Sequence, residues 1–198
     1  MTAELTLYTN PKSRGRIAQW MLEEIGQPYR AVVLEFGEPM RTPEFLALNP
    51  MGKVPVLVHG DAVVTEAAAI CAYLAEAIPE AGLAPKPEER ADYFRWMFFA
   101  AGPLEAVITA RALGLEAPPE RRRMAGYGDF DTVVAALERK LAVSDYVAGG
   151  RFTAADVYFG AQVVWGLMFQ TLPPSPALVA YRDRLMVRPA WVRANTPT

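Results

Sequence analysis

The sequence predicts a two-part chain: an α/β domain of order βαβαββα over residues 1–80, then an all-α domain over residues 88–198. Three observations predict it. Strand and helix signals alternate through the first eighty residues. No strand signal of any length follows them. Between the two regimes, residues 81–87 carry Gly82, Pro85 and Pro87, the composition of a linker.

Leu5-Thr6-Leu7-Tyr8 alternates with a period of two and reads as the first strand. Asn10-Pro11-Lys12-Ser13 reads as a loop that ends in a helix N-cap. The helix is expected from about Arg14 to Ile25, with Ile17, Trp20, Met21 and Leu22 as its apolar stripe and Gly26 as a left-handed cap. Tyr29 to Leu34 is β-rich and forms the second strand. Thr42-Pro43-Glu44 opens a short helix with proline in its first turn. Val54–Val58 and Ala62–Val64 form a hairpin, and Glu66 to Ala77 a helix that Pro79 ends. This is the order of a thioredoxin-like domain. Beyond the linker, helices are expected at about Glu88–Gly114, Pro119–Val143, Ala154–Gln170 and Ser175–Met186, with a short one after Pro189. Gly102-Pro103 should kink the first of these.

Composition excludes several classes of function. At 52% hydrophobic with a net charge of −2, the chain suits a packed core and offers no global attraction to nucleic acid or acidic membranes. Arg121-Arg122-Arg123 reads as a solvated helix face. The longest apolar run, Ala67 to Ala75, is far short of the roughly 20 residues of a spanning helix. The N-terminus has no signal-peptide pattern, and the one cysteine, Cys71, can form no intrachain disulfide, so a cytoplasmic setting is expected. One histidine and one cysteine leave too few ligands for a zinc site, and no metal is expected. His59 falls in Val58-His59-Gly60-Asp61, a turn signal, and is expected at an exposed hairpin tip.

Asn49-Pro50-Met51-Gly52-Lys53-Val54-Pro55-Val56-Leu57, followed by Thr65-Glu66-Ala67, resembles the signature of the glutathione transferase superfamily. The resemblance is to bacterial-type members, nearest to the serine-using, theta- or phi-like classes. It implies a cis Val54–Pro55 bond, with the backbone N–H and C=O of Val54 turned to pair with an extended peptide as an added strand does. A helix N-terminus at Thr65-Glu66-Ala67 attracts a carboxylate, and Glu66 accepts from an ammonium, a fit for the γ-glutamyl end of glutathione. The family's usual pattern has Ser where this chain has Ala67. That loss removes a hydrogen bond to a charged group, about 1.5–3 kcal/mol and so about tenfold in affinity. Lys53, with Arg41 as a second candidate, would meet the glycyl carboxylate.

A cysteine thiol with a pKa near 8.5 is mostly protonated at neutral pH, so it needs a donor to its sulfur. Pro11-Lys12-Ser13 with Arg16 resembles the serine-using classes, whose hydroxyl sits just before the first helix. Tyr8 is the rival, because tyrosine-using classes place theirs at the end of the first strand and Arg14-Gly15-Arg16 is similar to their Arg-Gly-Arg. The longer loop between Tyr8 and Arg14 favours Ser13, and Asn10 is a third possible donor. No cysteine stands at the helix start, so disulfide-exchange chemistry lacks its nucleophile; Cys71 reads as a buried apolar residue.

In the helical domain, the resemblance makes Phe98, Phe99, Gly102 and Glu105 candidates for an electrophile pocket. Thr153 and Asp156 have the spacing of a capping box and are assigned to folding. The resemblance thus implies a homodimeric enzyme of detoxification that joins the glutathione thiolate to a small hydrophobic electrophile. Glutathione-dependent isomerisation, dehalogenation or peroxide reduction could use the same thiolate, and a non-catalytic scaffold that keeps the fold is the alternative of another class.

Overall fold

The computed structural model describes residues 4–196. Contacts divide them into two units. One is the described part of Met1–Ala84 and Arg188–Thr198; the other is Pro85–Val187.

The first unit holds a four-stranded sheet of order β2-β1-β3-β4, with β1 Leu5–Thr9, β2 Tyr29–Val33, β3 Val56–His59 and β4 Ala62–Thr65. β2 runs parallel to β1, as a crossover helix requires, and β3 runs antiparallel to it. That helix, α1 Gly15–Ile25, buries Ile17, Ala18, Trp20, Met21, Leu22 and Ile25, and Gly26 closes it in the left-handed conformation. Thr42 caps α2 Pro43–Leu48 by accepting from Phe45 N–H. α3 spans Ala67–Ala77. His59 is the last residue of β3 and not the hairpin tip; it is half-buried, with Nδ1 3.0 Å from the Tyr73 hydroxyl.

The second unit is helical: α4 Arg90–Phe99, α5 Glu105–Ala112, α6 Phe130–Leu141, α7 Ala154–Met168 and α8 Pro176–Met186. The expected kink at Gly102-Pro103 takes the form of a π-helical turn, Ala100–Leu104, with Pro103 inside it. A π turn absorbs an extra residue where proline cannot donate its N–H, so α4 runs on into α5 without a break.

Two further expectations are corrected. The helix expected over Pro119–Val143 is a 3-10 turn at Pro119–Met124, then an irregular Gly126–Gly128 stretch, then α6. Asp129 restarts the helix by accepting from Thr132 N–H at 2.8 Å. The chain's last helix, α9 Pro189–Asn195, was expected in the helical domain and belongs to the first unit. There Trp191 meets Trp20 edge to face at 4.7 Å, and Arg188 and Arg193 pair with Glu24 and Glu23 on α1.

α7 is buried nearly all round, as a core helix is. Its capping box is the polar centre of the unit. Asp156 is fully buried, and its carboxylate accepts from Val147 N–H at 2.8 Å, Thr153 N–H at 2.9 Å, Thr153 Oγ1 at 3.1 Å and the Tyr181 hydroxyl at 2.9 Å. Burial pushes this carboxyl up to about 6, while the donors pull it back. Asp156→Asn keeps the shape but turns an NH₂ toward donors. It should lower the unfolding free energy in urea by about 3 kcal/mol, since breaking a buried charged network is costly. A change below about 1 kcal/mol would show that the network does not anchor α7.

Candidate functional site

The register brings three segments to one end of the sheet. Tyr8 lies opposite Val56, and Val56 opposite Thr65. The end of β1, the start of β3 and the β4-to-α3 junction are therefore neighbours.

The first segment is the loop from Asn10 to Gly15. Asn10 is 3% exposed and holds the loop. Its Nδ2 donates to Leu34 O at 2.8 Å, and its Oδ1 accepts from Lys12 N–H at 2.9 Å. Its carbonyl accepts from both Ser13 N–H at 3.0 Å and Ser13 Oγ at 2.7 Å. Asn10 thus has a structural task in holding this loop. Ser13 Oγ in turn accepts from Gly15 N–H at 3.0 Å. The residue at the N-cap position is Arg14, one later than expected, and makes no side-chain cap bond; the Ser13 hydroxyl satisfies the first helical N–H instead.

The second segment is the loop before β3. Asn49, 4% exposed, repeats the device: its Oδ1 accepts from Met51 N–H at 3.0 Å, its carbonyl from Gly52 N–H at 2.9 Å, and its Nδ2 donates to Lys53 O at 2.7 Å. Gly52 has φ 60°, and a Cβ there would stand 2.8 Å from Met40 O and 2.9 Å from Arg41 Nη1. Only glycine lets the Arg41 guanidinium lie against this loop. The Val54–Pro55 peptide is cis.

Together these loops wall a cavity of about 410 Å³ lined by Lys12, Ser13, Arg14, Phe36, Gly37, Met40, Arg41, Gly52, Lys53 and Val54. It gathers Ser13, Arg41, Lys53 and Val54 from the expected site residues. Four cationic side chains line it and no acidic one does, so it suits a carboxylate-bearing ligand. Tyr8 is not in its wall. It packs on Phe45, ring centroids 5.9 Å apart, in a cluster with Met40, Val56 and Val54. Pro55 is buried and also outside the wall.

The third segment is the α3 N-terminus. Glu66 is exposed, with φ 65° and ψ 121°, a strained conformation for a non-glycine residue; Ala67 is 6% exposed. Neither lines the cavity, although Thr65 pairs with Val56 at the same sheet end. Cys71 is fully buried, and burial pushes its thiol far up, so it offers no nucleophile.

In the helical unit, Gly102 and Glu105 line a cavity of about 530 Å³ with Pro103, Thr109 and Tyr127. Glu105 accepts from the Tyr158 hydroxyl at 3.1 Å, and Gln162 Nε2 lies behind it, 3.4 Å from Tyr158. Phe98 and Phe99 are not in that wall. Phe98 is 67% exposed and stacks on Phe94, and Phe99 packs on Trp96. Among the described residues, no three His, Cys, Asp or Glu side chains group as a metal site would need.

Sequence reasoning passed over Lys12, Arg14 and Phe36 as cavity residues, and Asn49 as the organiser of its loop. Two Asn residues each followed by proline were the available signal, since such pairs favour turns.

Comparison with known proteins decides the family. Residues 3–76 match the glutathione S-transferase N-terminal domain and residues 108–189 the C-terminal domain. The chain belongs to the glutathione S-transferase family. It is similar to glutathione S-transferase 3 of Zea mays, 31% identical over 97% of this chain and 89% of the relative. It is similar also to GstB of Escherichia coli K12, 32% identical over 85% and 86%. Among solved structures it resembles the theta class glutathione S-transferase of Xanthomonas axonopodis pv. citri, determined with glutathione bound. That chain is 32% identical, with a TM-score of 0.78, and the match covers 100% of this chain and 99% of that one. The family is one of enzymes with a thioredoxin-like domain and a helical domain, as in this chain.

The close approach at Gly15 is the most exacting contact of the site. A Cβ there would fall 2.1 Å from Thr9 Oγ1 and 3.0 Å from Ser13 Oγ. Gly15→Ala should therefore cost about 1–3 kcal/mol of stability in denaturant unfolding. Thr9→Ala in the same chain should recover part of that, because it removes the obstructing oxygen. A double variant no more stable than Gly15→Ala would place the strain elsewhere.

Proposed function

We propose that this protein is a transferase that binds glutathione at the sheet end and joins its thiolate to a small hydrophobic electrophile. The observation that carries the reading is the cavity where Ser13 and Val54 meet four cationic side chains, Lys53 and Arg41 among them. Glutathione bears two carboxylates and one ammonium, a net anion at neutral pH. In this reading its peptide pairs with the Val54 backbone. Its γ-glutamyl end reaches Glu66 and the Ala67 N–H, and its glycyl carboxylate meets Lys53 or Arg41. Acceptor binding is assigned to the helical unit, whose cavity holds Gly102 and Glu105.

Ser13 supplies the donor to sulfur. Its hydroxyl hydrogen now goes to the Asn10 carbonyl, a neutral bond of about 0.5–1.5 kcal/mol. A thiolate offers a charge-assisted bond of about 1.5–3 kcal/mol, so the hydroxyl turns to it. Gly15 N–H keeps donating to Oγ meanwhile and polarises it. The sulfur loses its proton to solvent, and the thiolate forms a carbon–sulfur bond to the acceptor as the acceptor's leaving group departs to solvent with the electron pair of the broken bond, a step that asks for no metal or redox cofactor.

Thiolate absorbance of bound glutathione, titrated against pH, tests this. The bound thiol should have a pKa well below 8.5, raised by about one unit in Ser13→Ala and unchanged in Tyr8→Phe. Ala67→Ser should tighten glutathione about tenfold by restoring a hydroxyl to the charged end. No binding at millimolar glutathione would leave a scaffold, the reading that Ala67 alone favours; a shift lost only in Tyr8→Phe would transfer the role to Tyr8.

The stacked, exposed Phe94 and Phe98 on α4 favour association with a second copy. Sedimentation at micromolar concentration should give a dimer, and Phe98→Glu should make it monomeric. A wild-type monomer would refute the assignment.

A further inference from the structure

The arc that carries Ser13 is held at both ends by one residue, at Ser13 O by its backbone and at Pro11 O by its side chain. Arg16 donates its backbone N–H to Ser13 O at 3.2 Å and its Nε to Pro11 O at 2.8 Å. The same guanidinium reaches the end of α9. Its Nη1 donates to Ala194 O at 3.2 Å and lies 3.5 Å from Asn195 Oδ1. Carbonyls at a helix C-terminus lack intrahelical partners and carry partial negative charge, so a cation is well placed there. The end of α9 is itself fixed. Asn195 Nδ2 donates to Trp191 O at 2.9 Å, and Trp191 packs on Trp20 of α1. Contacts therefore run in a closed ring from the Ser13 arc through Arg16 to α9, across the two tryptophans to α1, and back to the arc.

We infer that Arg16 is a positioning residue for Ser13 and that α9, through it, is part of the apparatus that activates the thiol. The inference rests on the proposed role of Ser13 as donor to sulfur. That hydroxyl must leave the Asn10 carbonyl and point at a ligand while Gly15 N–H still holds its oxygen. Its aim depends on where the backbone of the arc sits, and Pro11 O is the point at which Arg16 fixes that backbone. A planar fork can bind Pro11 O and the α9 carbonyl at once, whereas an ammonium is a point charge that serves one geometry poorly when it serves the other.

The experiment compares wild type, Arg16→Lys and Arg193→Ala. Arg193 clamps the same helix to Glu23 from an exposed position and does not touch the arc. Arg16→Lys should raise the pKa of bound glutathione thiol by about one unit, leaving about tenfold less thiolate at low pH, and should lower kcat about as much. Its affinity for glutathione should change less than about threefold. The Gly15 amide, bonded to Ser13 Oγ, should exchange with solvent about tenfold faster. Arg193→Ala should match wild type in pKa and in Gly15 exchange, whatever it loses in melting temperature. An Arg16→Lys protein with wild-type thiol pKa overturns the inference alone. So does an Arg193→Ala protein whose pKa rises as much, because the thiol would then respond to any loosening of α9 on α1 with the Arg16 bonds still in place. A wild type that binds glutathione without lowering its thiol pKa overturns the parent reading and this inference together.

Discussion

The register of β3 against β1 and β4 is the constraint on which the site depends. Tyr8 opposite Val56, and Val56 opposite Thr65, bring together stretches of chain about fifty residues apart in sequence. Leu7 and Leu57, also paired, are both fully buried. A slip of one residue would turn these side chains to the opposite face, so core burial fixes the register. The same burial then fixes where the Ser13 loop meets the Val54 loop. Function inherits its geometry from the hydrophobic pattern of the strands, and no side chain of the cavity has to hold the segments together.

Two buried asparagines translate that register into a binding surface. Asn10 and Asn49 use one pattern: the side-chain oxygen takes the N–H two residues on, the carbonyl takes the N–H three residues on, and the amide nitrogen donates to a more distant carbonyl. Such turns are built from short-range bonds that asparagine alone can make in full. Removing either amide would leave buried backbone groups unpaired, at about 1–3 kcal/mol each. Each turn closes on a residue that lines the cavity, Ser13 in one and Gly52 in the other. Arg16 adds the third restraint, tying the first turn to a helix from the far end of the chain.

Much of this was legible in the sequence where signals are local. The stripe from Ile17 to Ile25 with Gly26 behind it, the short helix that opens at Thr42-Pro43 and the Thr153–Asp156 box each depend on neighbours within a few residues, and each stands where expected. The stretch from Pro119 misled because its arginines and glutamate are good helix formers, whereas Gly126 and Gly128 decide the break. The allegiance of α9 was illegible, since Trp20 and Trp191 meet across 170 residues and no local pattern announces it. The cavity wall divided in the same way. Ser13, Lys53 and Val54 belong to a motif, while Phe36 and Met40 enter it through the fold of the loop after β2.

In the proposed glutathione complex an extended peptide lies across the sheet end, gripped by backbone groups at Val54 and Ala67 and reached by the Ser13 hydroxyl. Backbone amide resonances of the isotope-labelled protein, followed during addition of glutathione, test it most directly. Saturable shifts concentrated at Ser13, Val54 and Ala67 are expected. Shifts confined to the helical unit, with these three amides unmoved at saturation, would contradict it.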